Sequence, residues 1–165
     1  MATSNSSIIG VNLGGNSDGA TALFGLGSKA FGTNDTEWIY VYANAALTTG
    51  QCVTVNSGNT ALLSTTTQAL NGMDLAFSQG AFTAGDFGWV CKGGNPIYVL
   101  ISSVSTVAGS LGIADNSGTL TASTVSGGLR GIAVITAAAT ATAVVVQAYV
   151  RWPTIALTLI GLGPG

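Results

Sequence analysis

The chain has no histidine and very few charged residues. Of its 165 residues, four are Lys or Arg and six are Asp or Glu, which is 6% of the chain. Ordinary soluble domains carry about 25%. The surface must therefore consist mainly of Ser, Thr, Asn, Gln and Gly, whereas a free monomer usually keeps dispersed charge for solubility. We expect a protein that packs against copies of itself or against a partner; a quiet secreted β-domain is the alternative.

The lack of histidine excludes the common arrangements for nucleophilic catalysis. Neither a Ser-His-Asp nor a Cys-His arrangement is available, and zinc sites lose their commonest ligands. Asp35 and Glu37 are close in sequence and would share one face of a strand, so a glycosidase pair is the remaining catalytic alternative. Such a pair is usually a solvated strand end. We therefore predict no enzyme activity, no cofactor and no metal ion.

Charge and hydropathy also argue against nucleic-acid and membrane partners. The net charge of −2 leaves no basic patch to neutralise a phosphate backbone. The first residues, MATSNSSIIG, lack the basic and apolar regions of a secretory signal. Residues 131–150 carry no charge, but their Thr, Gln and Ala content makes insertion into a bilayer marginal. We expect neither nucleic acid nor membrane as a partner.

Helix periodicity is missing as well. No long run places apolar residues at the i, i+3, i+4 spacing, and Gly, Thr, Ser and Val dominate. Short strands between Gly, Asn and Ser turns predict an all-β fold, a single compact β-barrel or β-sandwich of the jelly-roll type with extended N- and C-terminal arms. The candidate strands are 37–43, 51–56, 61–65, 73–79, 87–93, 97–103, 110–115, 120–124, 130–136 and 142–152.

Three segments of the chain differ in character. Residues 1–32 are rich in glycine and predict an N-terminal arm, and residues 33–152 hold the candidate strands of the core. Residues 153–165, PTIALTLIGLGPG, are apolar and uncharged, and predict a C-terminal arm. Exposed in a monomer, this segment would favour aggregation, and its alternation suits a strand added to a sheet edge. A frayed tail and a last core strand are the alternatives.

The core sequence also contains a candidate internal repeat. TTGQCVTVNSGNTALLSTT, residues 48–66, aligns with VAGSLGIADNSGTLTASTV, residues 107–125. Both contain the tripeptide Asn-Ser-Gly, and the two copies are about 60 residues apart. Asn and Gly supply the positive φ that tight hairpins need, so we predict the same hairpin twice. Chance similarity in a biased composition is the alternative.

The aromatic residues favour a packed core over a binding platform. Trp38, Tyr40 and Tyr42 would share one face of a strand, and Ile39 and Val41 the other. A sugar-stacking platform remains an alternative; its candidate rings are Trp38, Tyr40, Tyr42, Phe87, Trp89 and Tyr98.

Two cysteines, Cys52 and Cys91, lie on candidate strands. A disulfide between them would stabilise the chain by closing a loop, but nothing in the sequence places the two strands side by side. We favour two buried thiols.

The segment AGDFGWVCKGG, residues 84–94, predicts a turn that leads into a strand. Together with GTNDTEWIYVYANAALTTGQCVTVN and AGSLGIADNSGTLTA, it resembles the small head decoration (cement) proteins of tailed bacteriophages. The match covers roughly residues 32–150. It implies a β-barrel or sandwich core in which Phe87 and Trp89 are anchors. It also implies trimers on the outer capsid surface near local three-fold axes, with terminal arms that contact the major capsid protein.

From the composition and this resemblance we expect a structural virion protein, made in the host cytoplasm, that stabilises the head as a homotrimer. Its partners would be copies of itself and the major capsid protein. A tail-tube or fibre subunit and a carbohydrate-binding virion module are the alternatives. The residues that we expect at the self-assembly or capsid contacts are Phe24, Leu26, Trp152, Ile155, Leu157, Leu159 and Ile160.

Overall fold

The structure is a computed structural model that describes residue 13 and residues 17–65, 73–102, 111–113, 117–122, 129–135 and 143–155. These residues contain no helix, which confirms the all-β prediction, and their arrangement is compatible with a β-sandwich. The strands are β1 (Ser17–Gly19), β2 (Lys29–Phe31), β3 (Glu37–Ala43), β4 (Cys52–Val55), β5 (Thr60–Leu63), β6 (Asp74–Ser78), β7 (Phe87–Ile101), β8 (Leu111–Ile113), β9 (Leu120–Ala122), β10 (Leu129–Val134) and β11 (Val144–Ile155).

Five strands form a first closed circuit of pairings. β3 pairs with β7, β7 with β6, β6 with β4 and β4 with β5, all antiparallel. β5 then returns to β3 in a parallel pairing. Hydrogen bonds therefore connect each of these strands to two neighbours, so none of the five is a free edge along its whole length.

A second circuit repeats this plan with β7 as the shared strand. β7 pairs with β11, β11 with β10, β10 with β8 and β8 with β9, again antiparallel. β9 returns to β7 in parallel. The order and the sense of every pairing match those of the first circuit, with β7 in the place of β3 and β11 in the place of β7.

The residue register is repeated too. In the first circuit Tyr40 lies opposite Trp89. In the second circuit Tyr98 lies opposite Gln147, and each of these residues follows its counterpart by the same number of positions. The two aligned sequence segments coincide with the antiparallel pairs β4–β5 and β8–β9. The sequence similarity and the strand connections thus describe one plan used twice.

Two clusters of buried side chains fill the structure. One takes members from all five strands of the first circuit, among them Ile39, Val41 and Val53. The other contains Trp38, Tyr40 and Trp89 from the opposite faces of the same strands, together with inward side chains of the second circuit. β3 is therefore buried on both faces, with its alternate residues in different clusters, as the period of two requires.

Glycines allow the two circuits to approach each other closely. Gly50 has a φ of 85°, and a Cβ there would lie 2.7 Å from the backbone nitrogen of Leu100. The same Leu100 nitrogen donates a hydrogen bond to the Gly50 carbonyl at 2.7 Å. Backbone of the first circuit thus lies directly against β7, where a side chain on Gly50 would not fit.

The predicted arms begin within the sheet. β1 pairs with β7 and β2 pairs with β3, so residues 17–31 of the segment predicted as an N-terminal arm are attached to the core. β11 continues past Trp152 to Ile155, which lies opposite Leu129 of β10. Beyond Val150 the pairing with β7 ends, so Pro153 lies where only β10 is a neighbour and its missing N–H is tolerated.

Candidate interaction surface

Residues 20–28, which we call the strap, connect β1 to β2 and lie along β3. The backbone of Tyr40 is bonded to the strap on both sides, since Gly27 N donates to its carbonyl at 2.8 Å and its own N–H donates to Ser28 O at 2.9 Å. The phenol of Tyr40 accepts a hydrogen bond from Leu23 N at 3.0 Å and donates to Asp18 Oδ2 at 2.8 Å. Burial is the largest cause that raises the pKa of Tyr40, so the phenol stays protonated and keeps this donor bond. Hydrogen bonds therefore hold the strap in place.

Phe24 fixes the middle of the strap on the core. Its ring contacts those of Tyr40 and Trp89 edge-on, each at a centroid distance of 5.3 Å, and those two rings are 5.0 Å apart. Edge-to-face aromatic pairs contribute about 0.5–1.5 kcal/mol beyond the area that they bury. Tyr40 and Trp89 are buried beneath this ring, so they are core residues here and not a surface for sugar stacking.

The outer side of the strap region is apolar. Leu23 is 65% exposed, Phe24 37%, Leu26 43% and Phe31, on β2, 51%. We call these four residues the strap patch. The sequence from Gly19 to Ser28 contains no charged residue. Lys29 shares the outward face of β2 with Phe31, and its charge is paired with Glu37 at 3.4 Å. Exposed apolar side chains that cluster in this way mark interaction sites.

The structure places some of the predicted contact residues and adds others. Phe24 and Leu26 lie in the strap patch. Trp152 and Ile155 lie near the end of β11, far along the sequence from the strap. Three further predicted residues, Leu157, Leu159 and Ile160, lie outside the described residues. Of the predicted contact residues, Phe24 and Leu26 are thus the two whose exposure the structure describes.

Sequence reasoning missed Leu23 and Phe31. The strap has no regular period, so nothing in its sequence shows which of its apolar side chains turn outward. The exposure of Phe31 could have been predicted, because Ala30 is the buried residue of β2 and a period of two turns Phe31 away from the core.

A second, smaller group of exposed apolar residues lies on the other circuit. Ile135, directly after β10, is 55% exposed, and Val145 on β11 is 40% exposed. Their backbones are linked through β11, since Ile135 N donates to the carbonyl of Gln147 at 2.9 Å. Among the side chains whose exposure the structure describes, every large apolar one that is exposed belongs either to this group or to the strap patch.

Asp35 and Glu37, the candidate carboxylate pair, lie on the β2–β3 hairpin beside a groove of about 430 Å³. Asp35 is in the turn with a φ of 56°, and Glu37 forms an ion pair with Lys29 at 3.4 Å. Phe31, Tyr149 and Arg151 also line the groove. This arrangement is typical of a solvated hairpin end, the interpretation that we favoured. Within the described residues, no three Cys, Asp or Glu side chains are grouped as metal ligands.

The thiols of Cys52 and Cys91 are free and buried. Both lie opposite Phe77, Cys52 on β4 and Cys91 on β7, so β6 separates them. Two strand spacings are about 9–10 Å, beyond the reach of a disulfide. Burial raises the pKa of each thiol to about 12, so both are protonated at neutral pH and are poor nucleophiles. The preference for two buried thiols agrees with this placement.

Among the described residues there is no helix of the length and hydropathy that a membrane crossing needs. Comparisons of the sequence and structure with protein-family models, curated proteins and solved structures give no match.

Proposed function

We propose that this chain is a capsid decoration protein that forms a homotrimer on the outer surface of a tailed-phage head and binds the major capsid protein. The strap patch is the observation that carries the proposal. Its apolar side chains face solvent on a segment that hydrogen bonds hold against the core. A chain with so little charge has few other means of staying soluble, so the patch calls for a partner. That its partners are copies of the chain and the capsid comes from the resemblance in sequence.

The energetics suit an interaction surface. Full burial of a Leu or Phe side chain contributes about 1.5–3 kcal/mol, and Leu23 and Phe31 are each more than half exposed. The strap is already fixed by the bonds to Tyr40, so little ordering cost opposes its burial in an interface. Burial of the patch would therefore supply several kcal/mol toward association.

The carbohydrate-binding alternative is less favoured. Stacking on a sugar needs accessible ring faces, but Trp38, Tyr40 and Trp89 are buried. The remaining rings of that candidate platform, Tyr42, Phe87 and Tyr98, are half-buried.

Two measurements test the proposal. Native mass spectrometry and sedimentation of the purified chain should show a trimer, and a monomer at every concentration would contradict self-assembly. Cryo-electron microscopy of the phage particle that carries the chain should show it on the outside of the head. Density for the chain in the tail tube or a fibre would instead support that alternative.

A matched pair of variants connects the patch to the particle. Leu26→Ser removes an exposed apolar side chain from the strap patch, whereas Ser57→Ala alters an exposed turn at another place on the first circuit. Added back to heads that lack the protein, Leu26→Ser should bind at least about 10-fold more weakly than Ser57→Ala, a difference of about 1.4 kcal/mol. Equal binding of the two variants would mean that the strap patch takes no part in binding to heads.

A further inference from the structure

The matching registers identify equivalent faces of the two circuits. On the first circuit, Tyr42 lies opposite Phe87 on the face that holds Tyr40 and Trp89. At the equivalent positions of the second circuit, Leu100 lies opposite Val145, next to the pair of Tyr98 and Gln147. We call this face of the second circuit, with its neighbours Ile135 and Tyr149, the second-circuit face.

On the first circuit the strap covers this face. Phe24 packs on Tyr40 and Trp89, and the strap backbone bonds to both the N–H and the carbonyl of Tyr40. The corresponding backbone groups of Tyr98 are bonded by a side chain instead. The Gln79 amide accepts from Tyr98 N at 2.8 Å and donates to Tyr98 O at 3.0 Å. The Gln79 side chain thus replaces the strap backbone as the hydrogen-bond partner of the tyrosine, but it is too short to cover the second-circuit face.

Among the described residues, no segment covers the second-circuit face as the strap covers the first. Ile135 and Val145 are exposed, and the others that form the face are half-buried; these are Tyr98, Leu100, Gln147 and Tyr149. None of the six carries a charge at neutral pH. Arg151, which donates a hydrogen bond to the phenol of Tyr149 at 3.4 Å, borders the face. The face at the equivalent position of the first circuit is covered by an apolar, uncharged segment.

A cyclic trimer needs two different patches that fit each other, because the contact that closes a three-fold ring is heterologous. Among the side chains whose exposure the structure describes, the exposed large apolar ones lie in the strap patch or, as Ile135 and Val145, on the second-circuit face. We propose that in the trimer the strap patch of one copy packs on the second-circuit face of the next, so that each copy covers its neighbour. This inference rests on the proposed trimer and names its contact surfaces.

The test places a charge in each patch. Leu23→Asp alters the strap patch, and Val145→Asp alters the second-circuit face, both at exposed positions. Either variant alone should associate at least about 100-fold more weakly than the wild type, about 2.8 kcal/mol, since an unpaired carboxylate would be buried in every contact. Ser57→Asp puts the same charge on an exposed turn and should leave the trimer unchanged.

Mixing the two variants distinguishes this contact from a symmetric one. A Leu23→Asp copy keeps its second-circuit face and a Val145→Asp copy keeps its strap patch, so one intact contact can form between them. The mixture should give 1:1 dimers in native mass spectrometry, although each variant alone is monomeric. A symmetric contact of one patch with itself would instead be weakened by only one of the two substitutions, and the other variant alone would associate like the wild type.

Several results would overturn the inference. One is a normal trimer from both variants, and another is a mixture that stays monomeric. A third is a Val145→Asp protein that forms trimers but no longer binds heads, because this result would assign the second-circuit face to the capsid protein. Urea unfolding checks that each variant is folded, and Ile135→Asp replaces Val145→Asp if it is not. A wild type that is monomeric at all concentrations would overturn the trimer itself, whereas normal trimers from both variants would leave the proposed function standing.

Discussion

The two circuits have the same strand connections and different surfaces. At equivalent positions the first circuit has Trp89 where the second has Gln147, and Tyr42 where the second has Leu100. The first circuit is covered by the strap, and its aromatic side chains fill the space beneath. No described segment covers the second in this way, and the side chains at these two positions are smaller or more polar. Backbone pairing therefore maintains the repeated strand plan, whereas the side chains of each circuit match the segment that covers that circuit or its absence among the described residues.

The comparison predicts the largest effect for Trp89→Ala. The substitution removes a buried side chain beneath Phe24 and should lower the free energy of unfolding by about 3–5 kcal/mol. The equivalent substitution, Gln147→Ala, alters a half-buried polar residue and should cost less than about 1 kcal/mol. Urea unfolding of the two variants measures both values. Equal losses would show that the second-circuit face is packed as firmly as the first.

The contact between the circuits is tested by Gly50→Ala. A left-handed backbone costs a non-glycine residue about 1–2 kcal/mol, and overpacking against Leu100 adds about 1–3 kcal/mol. We expect a loss of about 3 kcal/mol in the free energy of unfolding. Gly19→Ala is the matched control, since Gly19 also has a positive φ but nothing within 4 Å, and it should show the conformational cost alone. If both variants lose the same stability, the circuits have room to separate at Gly50.

Much of this fold could be predicted from the sequence. The run EWIYVYA predicted β3 with its observed bounds, because β-branched and aromatic residues between turns are a strong local signal. The turn before β7 was also predicted from its sequence, and Gly85 in this turn has a φ of 94°. The prediction of two strands at 87–93 and 97–103 was wrong in one respect, since β7 runs from Phe87 to Ile101 without a break.

The reason for that error is tertiary. The sequence GGNP between the two predicted strands is typical of a turn, but Gly93 lies against the backbone of β11, where a Cβ would be 2.9 Å from Val150 O. Gly93 therefore allows β7 to pack closely against β11 and does not form a turn. The strap was unpredictable for a related reason. The strap is held by contacts with Tyr40 and Trp89, which are distant in sequence, and no local period in residues 20–28 predicts such contacts.

The edge of the second circuit is tested by Gln79→Leu. This substitution removes both bonds to the backbone of Tyr98 and should lower the free energy of unfolding by about 1–2 kcal/mol. Gln79→Glu keeps an acceptor for Tyr98 N but sets a carboxylate oxygen against the carbonyl of Tyr98, so it should not restore the stability. Hydrogen exchange of the Tyr98 amide gives a local measure and should accelerate in Gln79→Leu. An unchanged exchange rate would mean that Gln79 does not replace the strap in solution.

The smallest effect concerns the two thiols, which both belong to the first circuit. Burial raises their pKa to about 12, whereas a thiol in an unfolded chain has a pKa of about 8.5. Below the unfolded value both states bind the proton, so the contribution to stability is complete; as the pH rises from there toward 12, only the unfolded chain ionises and the contribution is lost. At pH 8.5 the loss is about half a kcal/mol for each thiol.

Comparison with the double variant Cys52→Ala/Cys91→Ala isolates this loss from other titrations. The variant is less stable at every pH because it leaves cavities, but between pH 7 and pH 8.5 its free energy of unfolding should fall by about 1 kcal/mol less than that of the wild type. Urea unfolding under reducing conditions gives both slopes, and each single variant should recover half of the difference. Equal slopes would mean that water reaches the thiols in the folded protein. The first circuit would then be less tightly packed around Phe77 than the burial of Cys52 and Cys91 indicates.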